Sequence, residues 1–269
     1  MSSRPRAASA RAAVALACGL LCAAAGCSAP GAPDAGTAAP TSPSRPPSPA
    51  PHEIGRLEVG DVIVVLRASA GTAEVADGPA TSRTARTDDA VGLTLALDGP
   101  GGARFSRDAD ATVSVVGPGD DDAATVGGLA VTGDDVRVAV ADREVTVGPQ
   151  ASGSPTSRPS AETRTPPAVV AATVTLGADA LVSATWGEAE GGRSLAVVPS
   201  DWARQAGAAG ADAVWSAVVA AEPDADTPGM HDQLECHALG ATDKASWNLE
   251  PWRPDVGFVD TALARCNPT

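Results

Sequence analysis

The segment from Pro228 to Thr269 concentrates the side chains of this chain that can bind, stack and cross-link. Two of the three histidines, two of the five tryptophans and the last two of the five cysteines lie in it. The rest of the chain is dominated by Ala, Val, Gly, Asp and Thr. Any chemistry is therefore expected in this C-terminal segment.

Seven residues of the segment form a candidate ligand site, in which polar side chains are walled by two tryptophans. They are Gln233, His237, Trp247, Asn248, Glu250, Trp252 and Arg253. Such a combination is typical of sites for a small polar ligand, a glycan or a peptide. His237 and Glu250 could instead act as an acid/base pair. In a third interpretation Glu250 pairs with Arg253, Asn248 caps the loop and the tryptophans fill a core.

Motifs for metal binding and for a serine nucleophile are absent from the sequence. His231, Cys236 and His237 are close together, but the chain has neither CxxC nor HExxH spacing and the thiol is expected to be oxidised. No GxSxG motif surrounds a serine. The acidic run from Asp120 to Asp122 lacks the ligand spacing of a calcium loop and predicts a solvated loop. We therefore predict no metal site and no cofactor, and we assign no catalytic residue.

The N-terminus predicts export. Arg4, Arg6 and Arg11 precede the apolar run Ala12 to Ala25, which is too short to span a bilayer. The run ends in Ala-Ala-Gly-Cys, which resembles a bacterial lipobox, so we expect a signal peptide over residues 1–26 and acylation of Cys27. The mature protein would then be anchored to the outer face of the cell membrane. Plain secretion is the alternative, because alanine stands where the lipobox prefers leucine.

The remaining cysteines predict one disulfide. The leader contains Cys18 and Cys22, and lipidation uses Cys27, which leaves Cys236 and Cys266 as a pair in an oxidising compartment. The bond would close a loop of about 30 residues, for which the chain-entropy model gives about 3.5 kcal/mol of stabilisation.

Composition divides the mature chain into two folded regions and two flexible ones. Residues 27–51 and 151–167 are rich in Pro, Ala, Ser and Thr, and they are interpreted as a disordered tether and a linker. Residues 52–150 alternate apolar and polar side chains, which predicts an all-β sandwich or barrel. Residues 168–269 hold all five tryptophans and predict a small α+β domain with one disulfide. The fold class expected for the whole chain is α+β.

Two helices are predicted in the C-terminal region. Ala211 to Ala221 carries an apolar stripe stopped by Pro223. Gly229 to Leu239 follows Thr227-Pro228, a capping residue followed by a proline at the first helical position. A further helix is expected to open at Pro199-Ser200-Asp201, with Ser200 as its candidate N-cap.

The C-terminal motifs resemble a known family. They are Met230-His231-Asp232-Gln233-Leu234, Cys236-His237, the run Trp-Asn-Leu-Glu-Pro-Trp-Arg-Pro from Trp247 to Pro254, and the closing Cys266-Asn267-Pro268. These motifs resemble domain of unknown function 2599, which occurs at the C-termini of secreted and lipid-anchored actinobacterial proteins. The resemblance covers about residues 169–269. The family has no assigned activity, so the resemblance implies no catalytic residue and no cofactor.

The charge and the layout together favour a binding function. A net charge of -14 with a single lysine argues against a nucleic acid partner, since phosphate binding needs clustered positive charge. The leading hypothesis is a membrane-anchored surface binding or interaction module, with cell-wall material, a glycan or a protein as its ligand. The alternatives are a cell-envelope hydrolase using His237 and Glu250, and a purely structural envelope protein.

Overall fold

The computed structural model describes residues 49–76, 78–99, 101–120, 123–150 and 168–269. The predicted signal peptide, Cys27, nearly all of the tether, the linker over 151–167, and Asp121 and Asp122 lie outside these residues. The described residues belong to one compact unit that is mostly β-sheet. No helix among the described residues is long and apolar enough to cross a membrane.

Among the described residues, ten strands come before the predicted linker. They are β1 (His52–Val59), β2 (Val62–Ala68), β3 (Glu74–Ala76), β4 (Ser82–Val91), β5 (Leu93–Asp98), β6 (Arg104–Arg107), β7 (Val113–Val116), β8 (Thr125–Thr132), β9 (Val136–Val140) and β10 (Glu144–Pro149). The strands β9 and β10 form the hairpin that the alternating valines predicted.

Strands and helices both follow the linker. They are β11 (Val169–Ala178), β12 (Leu181–Ala189), β13 (Gly192–Pro199), α1 (Asp201–Gln205), α2 (Gly207–Ala221), a 3-10 turn (Pro223–Ala225), α3 (Pro228–Gly240), β14 (Trp247–Leu249) and α4 (Phe258–Leu263). As predicted, Thr227 caps α3 by accepting a hydrogen bond from the Met230 N–H at 3.3 Å. Ser200 does precede α1, but its buried hydroxyl makes no capping hydrogen bond.

The strands form three antiparallel sheets. Their orders are β1-β2-β5-β10-β9, β3-β4-β11-β8-β7-β6 and β12-β13-β14. The two larger sheets share one core of Val, Leu and Ala side chains, with Leu66, Leu95 and Leu176 among those that are fully buried. This arrangement is sandwich-like, as the alternation of apolar residues predicted.

The strand β11 belongs to the sandwich, although it follows the predicted linker. It pairs with β4 on one side and with β8 on the other. Val170, Val174 and Leu176 are buried in the sandwich core. The β-rich half therefore needs a strand from beyond residue 168 to join β4 to β8, and a separate N-terminal domain is not shown. Composition marks where a chain lacks apolar residues, but it does not specify the pairing partners of the next strand.

The helices and the small sheet β12-β13-β14 enclose a second core. It contains Leu195, Val214, Leu234, Trp247 and Leu249, all of them fully buried. Met230 and Leu234 face this core, as the predicted helix required. Val214 and Val218 of α2 do the same, which is the apolar stripe seen in the sequence.

Trp202 of α1 packs the helices against β11, in the six-stranded sheet. Its indole N–H donates to the carbonyl of Ala178. The ring lies so close to Gly177 that a Cβ atom there would overlap it. Glycine at position 177 of β11 is thus required by this close approach, and not by its backbone angles.

The N-terminus of α2 is capped by the loop between β6 and β7. The carboxylate of Asp110 accepts from the Ala208 N–H at 2.8 Å, and the Thr112 hydroxyl accepts from the Ala209 N–H at 3.2 Å. Burial alone would raise the pKa of Asp110, but hydrogen bonds from Thr112 and Ala208 lower it overall. An ionised carboxylate at the positive end of α2 stabilises the helix. Residues about 100 positions apart thereby join the two parts of the fold.

Candidate functional site

The expected cysteine pair links α3 to the end of the C-terminal segment. The sulfur atoms of Cys236, on α3, and Cys266 are 2.00 Å apart, and their Cα atoms are 5.5 Å apart. This is disulfide distance. The pair fastens the last residues of the chain to the middle of α3.

Arg253 is the centre of a buried ionic network. Its Nε donates to the Glu250 carboxylate, its Nη2 donates to Glu190 at 2.5 Å, and its Nη1 donates to the carbonyl of Pro268 at 3.2 Å. The side chains of Arg253 and Glu250 are each only 2% exposed. The three partners lie just after β14, in the turn between β12 and β13, and next to the C-terminus. One guanidinium therefore holds three segments together.

Gln233 links α3 to the same segment. Its Nε2 donates to the carbonyls of Gly229 and Glu250, both at 3.1 Å, and its Oε1 accepts from the Glu250 N–H at 2.9 Å. The side chain is 1% exposed. Both ends of the amide are occupied by backbone groups, so Gln233 serves as a bridge within the protein.

His237 and Trp247 also point inward. The His237 Nε2 lies 3.2 Å from the Asn248 carbonyl, while its Nδ1 is buried without a hydrogen-bond partner. Burial lowers the pKa of His237, the hydrogen bond to Asn248 opposes this shift, and Lys244 adds a smaller lowering. Because a carbonyl oxygen can only accept, Nε2 is the donor of this bond. Trp247 is fully buried and donates its indole N–H to the Ala241 carbonyl at 2.9 Å.

Part of the other side of the small sheet faces solvent. Because successive side chains of a strand point to opposite faces, burial of Leu195, Val197 and Trp247 in the second core directs their strand neighbours outward. On this side Ser194 is buried, whereas Ala196 is partly exposed and Asn248 is exposed. We use the term outer face for these outward residues and the tryptophan beside them, which are Thr185, Gly187, Ala196, Asn248 and Trp252.

Trp252 is held firmly on the outer face. Its indole lies against Gly192, where a Cβ atom would overlap the ring. The Arg253 guanidinium carbon lies 4.5 Å from the centre of the indole, a cation–π contact. Even so, 45% of Trp252 remains exposed. The sequence identified Trp252 and Asn248, but Thr185, Gly187 and Ala196 carry no chemical signal apart from their place in an alternating strand.

The structure separates the seven predicted site residues into two groups. Gln233, His237, Trp247, Glu250 and Arg253 are buried, whereas Asn248 and Trp252 are exposed on the outer face. The two tryptophans lie on opposite sides of the small sheet and do not wall one pocket. The physical reason is that the chain leaves β14 in an irregular turn, which places Trp252 on the opposite side of the sheet from Trp247. The Glu250–Arg253 pair and the core position of Trp247 follow the third interpretation given above.

Three further residues that lie close together in the sequence have separate roles in the structure. His231, Cys236 and His237 do not form a ligand set, because the cysteine is paired with Cys266 and His237 contacts a backbone carbonyl. Two cavities of about 680 and 590 Å³ occur in the described part of the chain. The larger lies beside Trp202 and Arg107, and neither is lined by any of the seven residues.

Comparison with known proteins finds that the C-terminal part is similar to one family. Residues 181–269 match the model described as "Protein of unknown function (DUF2599)". The family resemblance is confirmed for this part of the chain. The match begins after β11, so it covers the small sheet, the helices and the outer face, but not the sandwich.

The similar curated proteins are mycobacterial and uncharacterized. One from Mycobacterium tuberculosis (strain ATCC 25618 / H37Rv) is 44% identical over 93 residues, which are 32% of this chain and 61% of the relative. One from Mycobacterium leprae (strain TN) is 41% identical over 70 residues, 24% of this chain and 57% of the relative. The chain thus spans less than two thirds of these relatives. No solved structure matches it significantly.

Substitution of Glu250 tests the buried network. Glu250→Ala leaves the Arg253 guanidinium with only the carboxylate of Glu190, which is 65% exposed, as an ionic partner, and we expect a loss of about 3 to 5 kcal/mol in the free energy of unfolding. Urea unfolding followed by tryptophan fluorescence measures it. The control Glu188→Ala removes an exposed glutamate of β12 and should change the free energy by less than about 0.5 kcal/mol. Equal effects of the two substitutions would contradict a stabilising network.

The buried imidazole predicts a pH dependence of stability. Because the pKa of His237 is lower in the folded state, the unfolded state binds the proton more readily, and stability declines as the pH falls through 6.5 towards the folded-state pKa. Urea unfolding at about pH 7.5 and about pH 5.5 should show a smaller decline in His237→Gln than in the wild type. His52→Gln, which changes an exposed histidine of β1, should keep the wild-type decline. An unchanged decline in His237→Gln would contradict this assignment.

Proposed function

We propose that this protein is a lipid-anchored, extracytoplasmic binding module whose outer face binds a polysaccharide of the cell envelope. The observation that carries the proposal is the exposure of Trp252. Its large indole is 45% exposed, although the ring packs closely against Gly192. An exposed apolar ring on a polar sheet is a ready surface for the apolar face of a sugar.

The rigidity of Trp252 favours binding. The ring rests on Gly192, and Arg253 beside it is itself fixed by Glu250 and Glu190. A side chain already held in one position loses little conformational entropy when a ligand covers it, so more of the contact energy contributes to affinity.

The charge of the outer face selects the class of ligand. None of its five residues is ionisable, whereas the whole chain carries a net charge of -14. The net negative charge of the chain repels polyanions. Hydroxyl, amide and indole groups suit a neutral polysaccharide, and Asn248 and Thr185 provide the polar groups that would contact its hydroxyls.

The location of the protein is part of the same proposal. The basic start, the short apolar run and the cysteine at position 27 support export and acylation. No observation favours the hydrolase alternative, because the Glu250 carboxylate is engaged by Arg253 and His237 is directed at a backbone carbonyl.

Trp252→Ala tests the binding proposal. Cosedimentation of the exported protein with insoluble cell-wall polysaccharide should show an affinity at least about tenfold lower for this variant, since exposed tryptophans at the centre of an interface often dominate its energy. Asn248→Ala should weaken binding less. The control Leu239→Ala changes another exposed apolar side chain, on α3, and should bind as the wild type does. Wild-type affinity in Trp252→Ala, with its thermal unfolding unchanged, would disprove the proposed site.

Cys27→Ala tests the anchor. Wild-type protein made in an actinobacterial host should enter the detergent phase of a phase partition and incorporate a labelled fatty acid, because acylation needs the Cys27 thiol. The variant should lose the label and enter the aqueous phase or remain unprocessed. Cys18→Ala, inside the predicted leader, should behave like the wild type. Unlabelled wild-type protein in the aqueous phase would indicate plain secretion.

A further inference from the structure

Three metal-ligating side chains meet on α3. His231, Asp232 and Glu235 each offer one ligand atom, and these three atoms lie within 4.8 Å of one another. The His231 Nε2 and the Glu235 Oε1 are 3.7 Å apart. The residues occupy helix positions i, i+1 and i+4, so Glu235 is the surface neighbour of both others.

We propose that His231, Asp232 and Glu235 bind a divalent transition-metal ion of the Zn²⁺ class, with water completing its coordination. An imidazole nitrogen beside two carboxylates suits such ions, whereas Ca²⁺ and Mg²⁺ prefer ligand sets made of oxygen alone. Ligands about 2.0 to 2.2 Å from one ion lie roughly 3 to 3.6 Å apart. Small rotations of these surface side chains are enough to reach that separation.

Trp215 of α2 orients the histidine. Its ring and that of His231 have centroids 4.7 Å apart and are tilted by 50°. This packing restricts the imidazole while its Nε2 stays beside Glu235. The side chains of His231 and Glu235 are 35% and 36% exposed, so an ion from solvent can reach them.

The surrounding charge favours a cation. The carboxylate of Asp212, on α2, is repelled by those of Asp108 and Glu235. In the described residues, no lysine or arginine forms an ion pair with Asp108, Asp212 or Asp232. A bound divalent ion would offset this repulsion. If His231 and Glu235 formed only an ion pair along one helix turn, Asp232 would have no part in it. The effect of substituting Asp232 therefore distinguishes metal binding from a simple ion pair.

Calorimetry on the tag-free exported protein, after dialysis against a chelator, tests the site. Titration with ZnCl₂ should show one ion bound per chain in the micromolar range, and CaCl₂ should show no comparable heat. Both His231→Asn and Asp232→Asn should weaken Zn²⁺ binding at least about tenfold. His52→Asn supplies a matched histidine control with wild-type affinity, and the ion-free variants should unfold at the wild-type temperature.

Fluorescence supplies a local readout. NiCl₂ should quench the tryptophan emission of the wild type, because Trp215 packs on His231, and the quenching should be lost in His231→Asn. Absence of Zn²⁺ binding by the wild type, equal affinity in Asp232→Asn, or equally tight Ca²⁺ binding would each overturn the proposal. Binding of Zn²⁺ does not depend on the outer face, so Trp252→Ala should retain it even if polysaccharide binding fails.

Discussion

The buried guanidinium of Arg253 is the constraint on which the C-terminal half depends. Removing a charge from water costs several kcal/mol, and that cost is offset only by well-placed ionic partners and hydrogen bonds. Here the acceptors are Glu250, Glu190 and the Pro268 carbonyl, which come from three separate segments. The Cys236–Cys266 pair holds the tail within reach of this network. The hairpin turn, the end of β14 and the C-terminus must therefore assemble together.

This network also explains why a motif rich in functional residue types need not be catalytic. Glu250 and Gln233 are occupied by internal partners, and Arg253 serves as the support of Trp252. The motif builds a rigid frame that presents a tryptophan and an asparagine to solvent. Binding chemistry, in this view, belongs to a few exposed groups and to the neutral strand residues beside them.

Some of the residues that contact the family-matching region lie outside that region. Trp202 donates to Ala178 and packs on Gly177, and the first amides of α2 are capped by Asp110 and Thr112. These four partners lie before residue 181, where the match begins. The sandwich therefore supports the helices directly, and the two halves behave as one folded unit.

The sequence by itself determined those features that depend on neighbouring residues. Alternating valines predicted the strands, Thr227-Pro228 predicted the start of α3, and the cysteine count predicted the pair. Only the tertiary structure decided that β11 completes the sandwich and that Trp247 turns inward while Trp252 turns outward. It also brought Trp215 onto His231. Periodicity and caps are local and can be seen in a short window of residues. Strand partners, and the direction of a side chain after an irregular turn, are set instead by contacts between segments far apart in the chain.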